Sequence, residues 1–186
     1  MPSLRVLVVG SSGSIGLPLT LSLARAGHTV FALARPQSQN KPEYVKLQAA
    51  GVQLVDGDLS DAARVLEVFR ELEPVEAVVS AVGAEQVYDQ RNLITAMQRS
   101  ATVTRFIPSE YSVDLNSAEA SVPDVFEPRR QILQEVRSAG IPYTVIASNG
   151  FMEDWFAGTS LQQHLAAFNC FESRSVNCLS GICSAC

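Results

Sequence analysis

The 186-residue chain is 47% hydrophobic with a net charge of -5, apolar content enough for one α/β domain and little more. It has no Lys/Arg run, which argues against a nucleic-acid surface, and no apolar stretch near the ~20 residues of a membrane span. An expected strand from Leu4 leaves no room for a signal peptide, and no Asn-x-Ser/Thr sequon occurs. Cys170, Cys178, Cys183 and Cys186 all lie near the end of the sequence, so no disulfide framework supports the body, and the chain reads as cytoplasmic.

Leu4 to Val9 is a β-branched, apolar run that suits a buried strand. Gly10-Ser11-Ser12-Gly13-Ser14-Ile15-Gly16 follows, and Leu17, Leu21 and Ala24 then recur at helical spacing up to Gly27. Strand, glycine-rich turn and helix form the context of a dinucleotide-binding fingerprint. Gly10 permits the tight turn, Gly13 leaves backbone N–H groups open to a pyrophosphate, and Gly16 lets the helix pack close to the strand. Ser12, Ser14 and Ile15 complete the expected phosphate loop, and the helix N-terminus adds partial positive charge. The spacing is Gly-x-x-Gly-x-x-Gly; taken alone it also fits a plain connector, and the flanking strand and helix favour the dinucleotide.

Thr29 to Ala34 is a second strand ending at Arg35. An acidic residue here holds the ribose 2′-hydroxyl of NAD, whereas an Arg accommodates the 2′-phosphate of NADP. Arg35 therefore points to NADP(H), against the alternative of an ordinary surface Arg. Lys41 is either a second charge for that phosphate or a solvated loop Lys. Tyr44 to Ala50 reads as a helix closed by Gly51, and Val52 to Val55 as the third strand. Asp58 and Leu59 lie where an adenine edge is met, unless Asp58 only closes a turn. Ser60 is the expected N-cap of a helix whose inner face is Leu66, Phe69 and Leu72.

Ala77 to Ala81 is a fourth strand with Val82-Gly83 at its tip. Tyr88 to Arg99 is a helix with Leu93, Ala96 and Met97 inward. Thr104 to Ile107 is a fifth strand, followed by Pro108-Ser109-Glu110-Tyr111 and a polar loop over Asn116 to Pro123. Phe126 opens another helix, with Pro128 near its first position, a stripe of Ile132, Leu133, Val136 and Ala139, and Gly140 as cap. Tyr143 to Ala147 is the expected sixth strand. Strands alternating with helices six times predict a Rossmann-like, doubly wound parallel sheet. Its ligand lies across the carboxyl ends of the strands, where strand order reverses. Gly10, Arg35, Asp58, Val82, Pro108 and Ser148 all sit at such ends.

The glycine fingerprint, Arg35, Ser80-Ala81-Val82-Gly83, Arg105 to Tyr111, Gly140 to Thr144 and Ser148-Asn149-Gly150-Phe151 resemble the isoflavone reductase-like branch of the NmrA-like family. These are atypical short-chain dehydrogenase/reductases. The resemblance implies NADPH binding, with Val82, Gly83, Pro108, Ser109 and Asn149 joining the cofactor set. In the plant reductases it implies hydride transfer to a small phenylpropanoid-like substrate; other members bind the cofactor and regulate without catalysis. The family's catalytic Lys falls on Arg129, which cannot deprotonate, and no Tyr-x-x-x-Lys occurs.

The resemblance fades near Leu161, so residues 1–161 are the expected NAD(P)-binding domain and most of the substrate lobe is missing. Residues 162–186 read as an atypical, irregular, Cys-rich tail, better explained as an aberrant terminus than as a metal site or a prenylation signal. A truncated, inactive product is therefore a further alternative. An unpaired sixth strand would favour self-association.

Overall fold

The computed structural model describes residues 2–112 and 126–148. The loop over Asn116 to Pro123, Asn149 and the tail lie outside the described residues. Five strands form one parallel sheet: β1 (Arg5–Val9), β2 (Thr29–Ala34), β3 (Gln53–Asp56), β4 (Ala77–Ser80) and β5 (Arg105–Ile107). The helices are α1 (Gly16–Arg25), α2 (Pro42–Ala49), α3 (Ala62–Glu71), α4 (Gln90–Arg99) and α5 (Glu127–Ser138).

Strand order is β3-β2-β1-β4-β5. The chain runs outward from β1 to β3, then crosses back to β4 on the other side of β1. That reversal opens a crevice at the carboxyl ends of β1 and β4. Register places Val9 beside Ser80 there, so the turn after β1 and the loop after β4 are neighbours.

Alternation along β1 sorts the core into two layers. Leu7 and Val9 face Val65, Val68 and Phe69 of α3, Leu93 and Met97 of α4, and Ile132 and Val136 of α5. Val6 and Val8 face Leu21 of α1 and Tyr44 and Leu47 of α2. Both faces of the central strand are thus buried, which is why β1 and β4 read as unbroken apolar runs.

Several expectations shift. The sixth strand is absent: only Tyr143 bridges Phe106, in parallel. Phe106 N–H donates to Pro142 O at 2.8 Å, and Thr144 N–H donates to Phe106 O at 2.9 Å. The next rung of such a ladder needs an N–H from residue 108, and Pro108 has none. The motif that marks the tip of β5 therefore stops the pairing. The cap of α3 is Asp61, not Ser60, its Oδ1 accepting from Arg64 N–H at 3.0 Å. Ser60 instead serves Asp58. In α3 the buried face is Val65, Val68 and Phe69, with Leu66 only packed against its edge. Helix α4 begins at Gln90, two residues later than expected.

Candidate functional site

The glycine turn lies where the sequence places it. Gly10 ends β1 with φ 78°, and Gly13 N–H donates back to Gly10 O at 3.1 Å, closing the turn. Leu17 N–H donates to Gly13 O at 2.9 Å and starts α1. The three glycines answer to different constraints. A Cβ on Gly10 would overlap the Ala81 carbonyl oxygen and lie 2.6 Å from its carbon. A Cβ on Gly16 would overlap the Gly10 carbonyl oxygen and lie 2.9 Å from Ser11 Cα. Both glycines are thus required by close backbone packing.

Gly13 is not. Its φ is not in the left-handed region, and a Cβ there would meet Gly10 O at an ordinary 3.4 Å. Its open side is exposed. Among the described residues, the N–H groups of Ser12, Ser14 and Ile15 find no acceptor. The turn is therefore a cradle of free donors at a helix N-terminus, shaped for an anion.

Arg35 follows β2 and is exposed, as is Lys41 at the start of α2. Neither side chain makes a hydrogen bond or an ion pair among the described residues. Asp58 lies near Arg35 and closes an Asx turn, its Oδ1 accepting from Ser60 N–H at 3.0 Å and from Ser60 Oγ at 2.9 Å. The Ser60 backbone bond chiefly, with the Arg35 charge as a minor contributor, holds the Asp58 carboxyl below its usual value. Of the two residues expected at an adenine edge, Leu59 is instead buried in the core, so only Asp58 remains at the rim.

The tips of β4 and β5 are tied to each other. Ser109 Oγ donates to Val82 O at 2.7 Å, and Ser109 N–H donates to Gln90 Oε1 at 2.9 Å. Gln90, fully buried, also donates through Nε2 to Val87 O at 3.1 Å. The Ser109 hydroxyl is thus committed to the scaffold. Pro108 and Val82 are buried, and Gly83 is exposed with open space around it. Arg129, in the first turn of α5, donates through Nε to Ser109 O at 3.4 Å.

Next to Ser109 stands a residue that sequence reasoning quoted only as part of a motif. Glu110 is 1% exposed, and neither of its carboxylate oxygens has a hydrogen-bond partner. Burial pushes its carboxyl up to about 7, against a smaller opposing pull from Arg129. Tyr111 follows with φ 20° and a buried, unpartnered phenol pushed up to about 12 by burial. Ser11 and Ser80, at the ends of β1 and β4, bury unpartnered hydroxyls as well. Buried polar groups are usually paired. Here every described exception falls at or just beyond the carboxyl ends of β1, β4 and β5 or at Ser112 and Ser148. Gln90 was also missed. Its signal was a lone amide on the inner face of an otherwise apolar helix stripe.

A parallel sheet with a glycine cradle at its topological switch point defines a Rossmann-like α/β domain. More particularly, the chain belongs to the NmrA-like family, whose model matches residues 2–170. An isoflavone reductase homolog of Nicotiana tabacum is 35% identical over 159 residues, covering 82% of this chain and 49% of that protein. Phenylcoumaran benzylic ether reductase of Ginkgo biloba is 33% identical over 79% of this chain and 49% of its own length. Leucoanthocyanidin reductase of Vitis vinifera, solved as a binary complex with NADPH, superposes with a TM-score of 0.71 at 32% identity, over 78% of this chain and 50% of that one. The chain spans about half the length of the curated relatives it matches.

Proposed function

We propose that this chain binds NADP(H) and belongs to an NADPH-dependent reductase of small, phenylpropanoid-like molecules. The observation that carries the reading is Gly13, a glycine that neither its φ nor its packing requires, lining a cradle of free N–H groups. Ser12, Gly13, Ser14 and Ile15 hold the pyrophosphate. Arg35 and Lys41 take the 2′-phosphate, and Val82, Gly83, Pro108 and Ser109 border the nicotinamide side, with Asn149 assigned there from sequence alone. When bound, NADPH supplies a hydride. The similar reductases of Ginkgo biloba and Vitis vinifera support the substrate class. Residues 1–161 form the cofactor domain in this reading, the location is cytoplasmic, and the segment from Tyr143 to Ala147 is the surface for self-association.

Arg129 is the proposed catalytic position, where it orients or polarises the substrate without exchanging a proton. The same residue favours a second reading, an NADP(H)-binding regulator, because a guanidinium cannot serve as the acid a reduction requires. Fluorescence titration with NADPH and NADH tests the shared core of both. One charge-assisted hydrogen bond to the 2′-phosphate is worth ~1.5–3 kcal/mol, so NADPH should bind roughly 10- to 100-fold tighter than NADH. Arg35→Ala should remove most of that preference. Equal affinity for the two cofactors in the wild type would overturn the assignment.

A further inference from the structure

Arg129 and Glu110 form an incomplete pair. The Arg129 side chain is half-buried and anchored through Nε to Ser109 O, while both terminal nitrogens lack an acceptor among the described residues. Glu110, one residue beyond that carbonyl, is close enough to feel the guanidinium charge but makes no hydrogen bond or ion pair with it. A planar cation with two free nitrogens matches a carboxylate in a bidentate fork.

We infer that Arg129 binds the carboxylate of an acidic substrate, and that the proton on buried Glu110 decides whether the Arg129 charge is available to it. This deepens the reductase reading by naming a substrate class, and rests on it only in calling the ligand a substrate. With Glu110 protonated, the guanidinium is the one uncompensated charge of the pair and attracts an anion. With Glu110 ionised, the pair is neutral and the attraction is offset.

Glu110 crosses between these states near neutrality, since its carboxyl is pushed up to about 7. By linkage, an anion seated on Arg129 cancels the field that favours ionised Glu110, so binding takes up a proton. Among the described residues, the groups that act on or pack beside Glu110 do not titrate over that range. Arg129 comes from α5, Gln90 from α4 is uncharged, and the Tyr111 phenol is pushed up to about 12. Further along α5, Arg130 is already paired with Glu127.

The test uses cinnamate and its neutral isostere cinnamamide as probes in calorimetric titrations of the full chain, with and without NADP+. At about pH 6, cinnamate should bind about tenfold tighter than cinnamamide, and it should weaken about tenfold by about pH 8. Buffers of different ionisation enthalpy should report proton uptake on binding cinnamate and none on binding cinnamamide. Arg129→Gln should abolish the preference for cinnamate. Glu110→Gln should keep the preference and lose its pH dependence. Equal binding of the two probes, or a pH dependence that survives Glu110→Gln, would overturn the inference. If either variant fails to fold, the wild-type probe comparison and its proton uptake decide alone. Loss of NADP+ binding with the cinnamate preference intact would sink the cofactor reading and leave this one standing.

Discussion

Replacing the three fingerprint glycines one at a time by Ala should separate binding from folding. Gly13→Ala adds a Cβ at an ordinary 3.4 Å from Gly10 O, at a backbone angle any residue adopts. The fold should hold, and loss of glycine's freedom in the unfolded chain even favours it by ~0.4–1 kcal/mol. In the proposed site the added methyl stands where a pyrophosphate approaches the N–H groups. Losing two charge-assisted hydrogen bonds costs about 3 to 6 kcal/mol, on the order of a hundred- to ten-thousand-fold in NADPH affinity. Gly16→Ala behaves oppositely. Its Cβ overlaps the Gly10 carbonyl oxygen and lies 2.8 Å from the Gly10 carbon, all rigid backbone, so the start of α1 must shift. Overpacking of this kind costs ~1–3 kcal/mol of stability or more. Gly10→Ala adds left-handed strain, ~1–2 kcal/mol, to its overlap with Ala81. Thermal melts and NADPH titrations on the three variants are the assay. A folded Gly13→Ala that binds NADPH within about threefold of wild type would refute the cradle, since the cradle is the only reason found for that glycine. A Gly16→Ala that melts with the wild type would refute the packing argument.

The other predictions concern stability around the β5 tip. Glu110 has its folded-state value raised from 4.5 to about 7, so its contribution is fully present below 4.5 and is lost as pH rises through 7. Urea titrations across that window should show wild-type stability falling by on the order of 3 kcal/mol, and Glu110→Gln should flatten the fall. An identical pH profile in the variant would show that Glu110 is not the titrating group. Gln90→Leu should destabilise the domain by about 1–3 kcal/mol, because it strands the buried Ser109 N–H. Chemical denaturation measures it, and a neutral result would mean that a water replaces the amide.

The parts of this fold that were legible in the sequence are those set by short-range chemistry. Apolar β-branched runs gave β1, β2 and β4, because a strand buried on both faces has no alternation to obscure it. Gly27, Gly51 and Gly140 mark helix ends, each with the positive φ that only glycine adopts freely. The sixth strand failed for a reason that one segment cannot display. Tyr143 to Ala147 has good strand composition, yet a strand also needs donors from its neighbour, and the neighbour runs into Pro108. The residue that stops it, Pro108, stands some thirty-five residues upstream of Tyr143.

The site divides along the same line. The glycine turn and the exposed Arg35 stand where the sequence puts them because a turn and a strand end are fixed locally, and their role toward a phosphate is the part proposed above. Glu110 was not, because nothing in Pro108-Ser109-Glu110-Tyr111 says that a carboxylate will be buried. That follows from Ser109, whose N–H is held by Gln90 of α4 and whose hydroxyl is held by Val82, so that the peptide leading to Glu110 is fixed in place. A carboxyl confined there without a hydrogen bond is stabilised only by the nearby guanidinium or by a proton. With Lys at position 129, either member of such a pair could carry the proton, and the site's charge would be shared between two titrating groups. With Arg129 only one member can titrate. In the proposed site, an Arg at the position where the resemblance implies a Lys therefore both weakens the case for proton transfer by residue 129 and leaves Glu110 as the group that sets the charge of the pair.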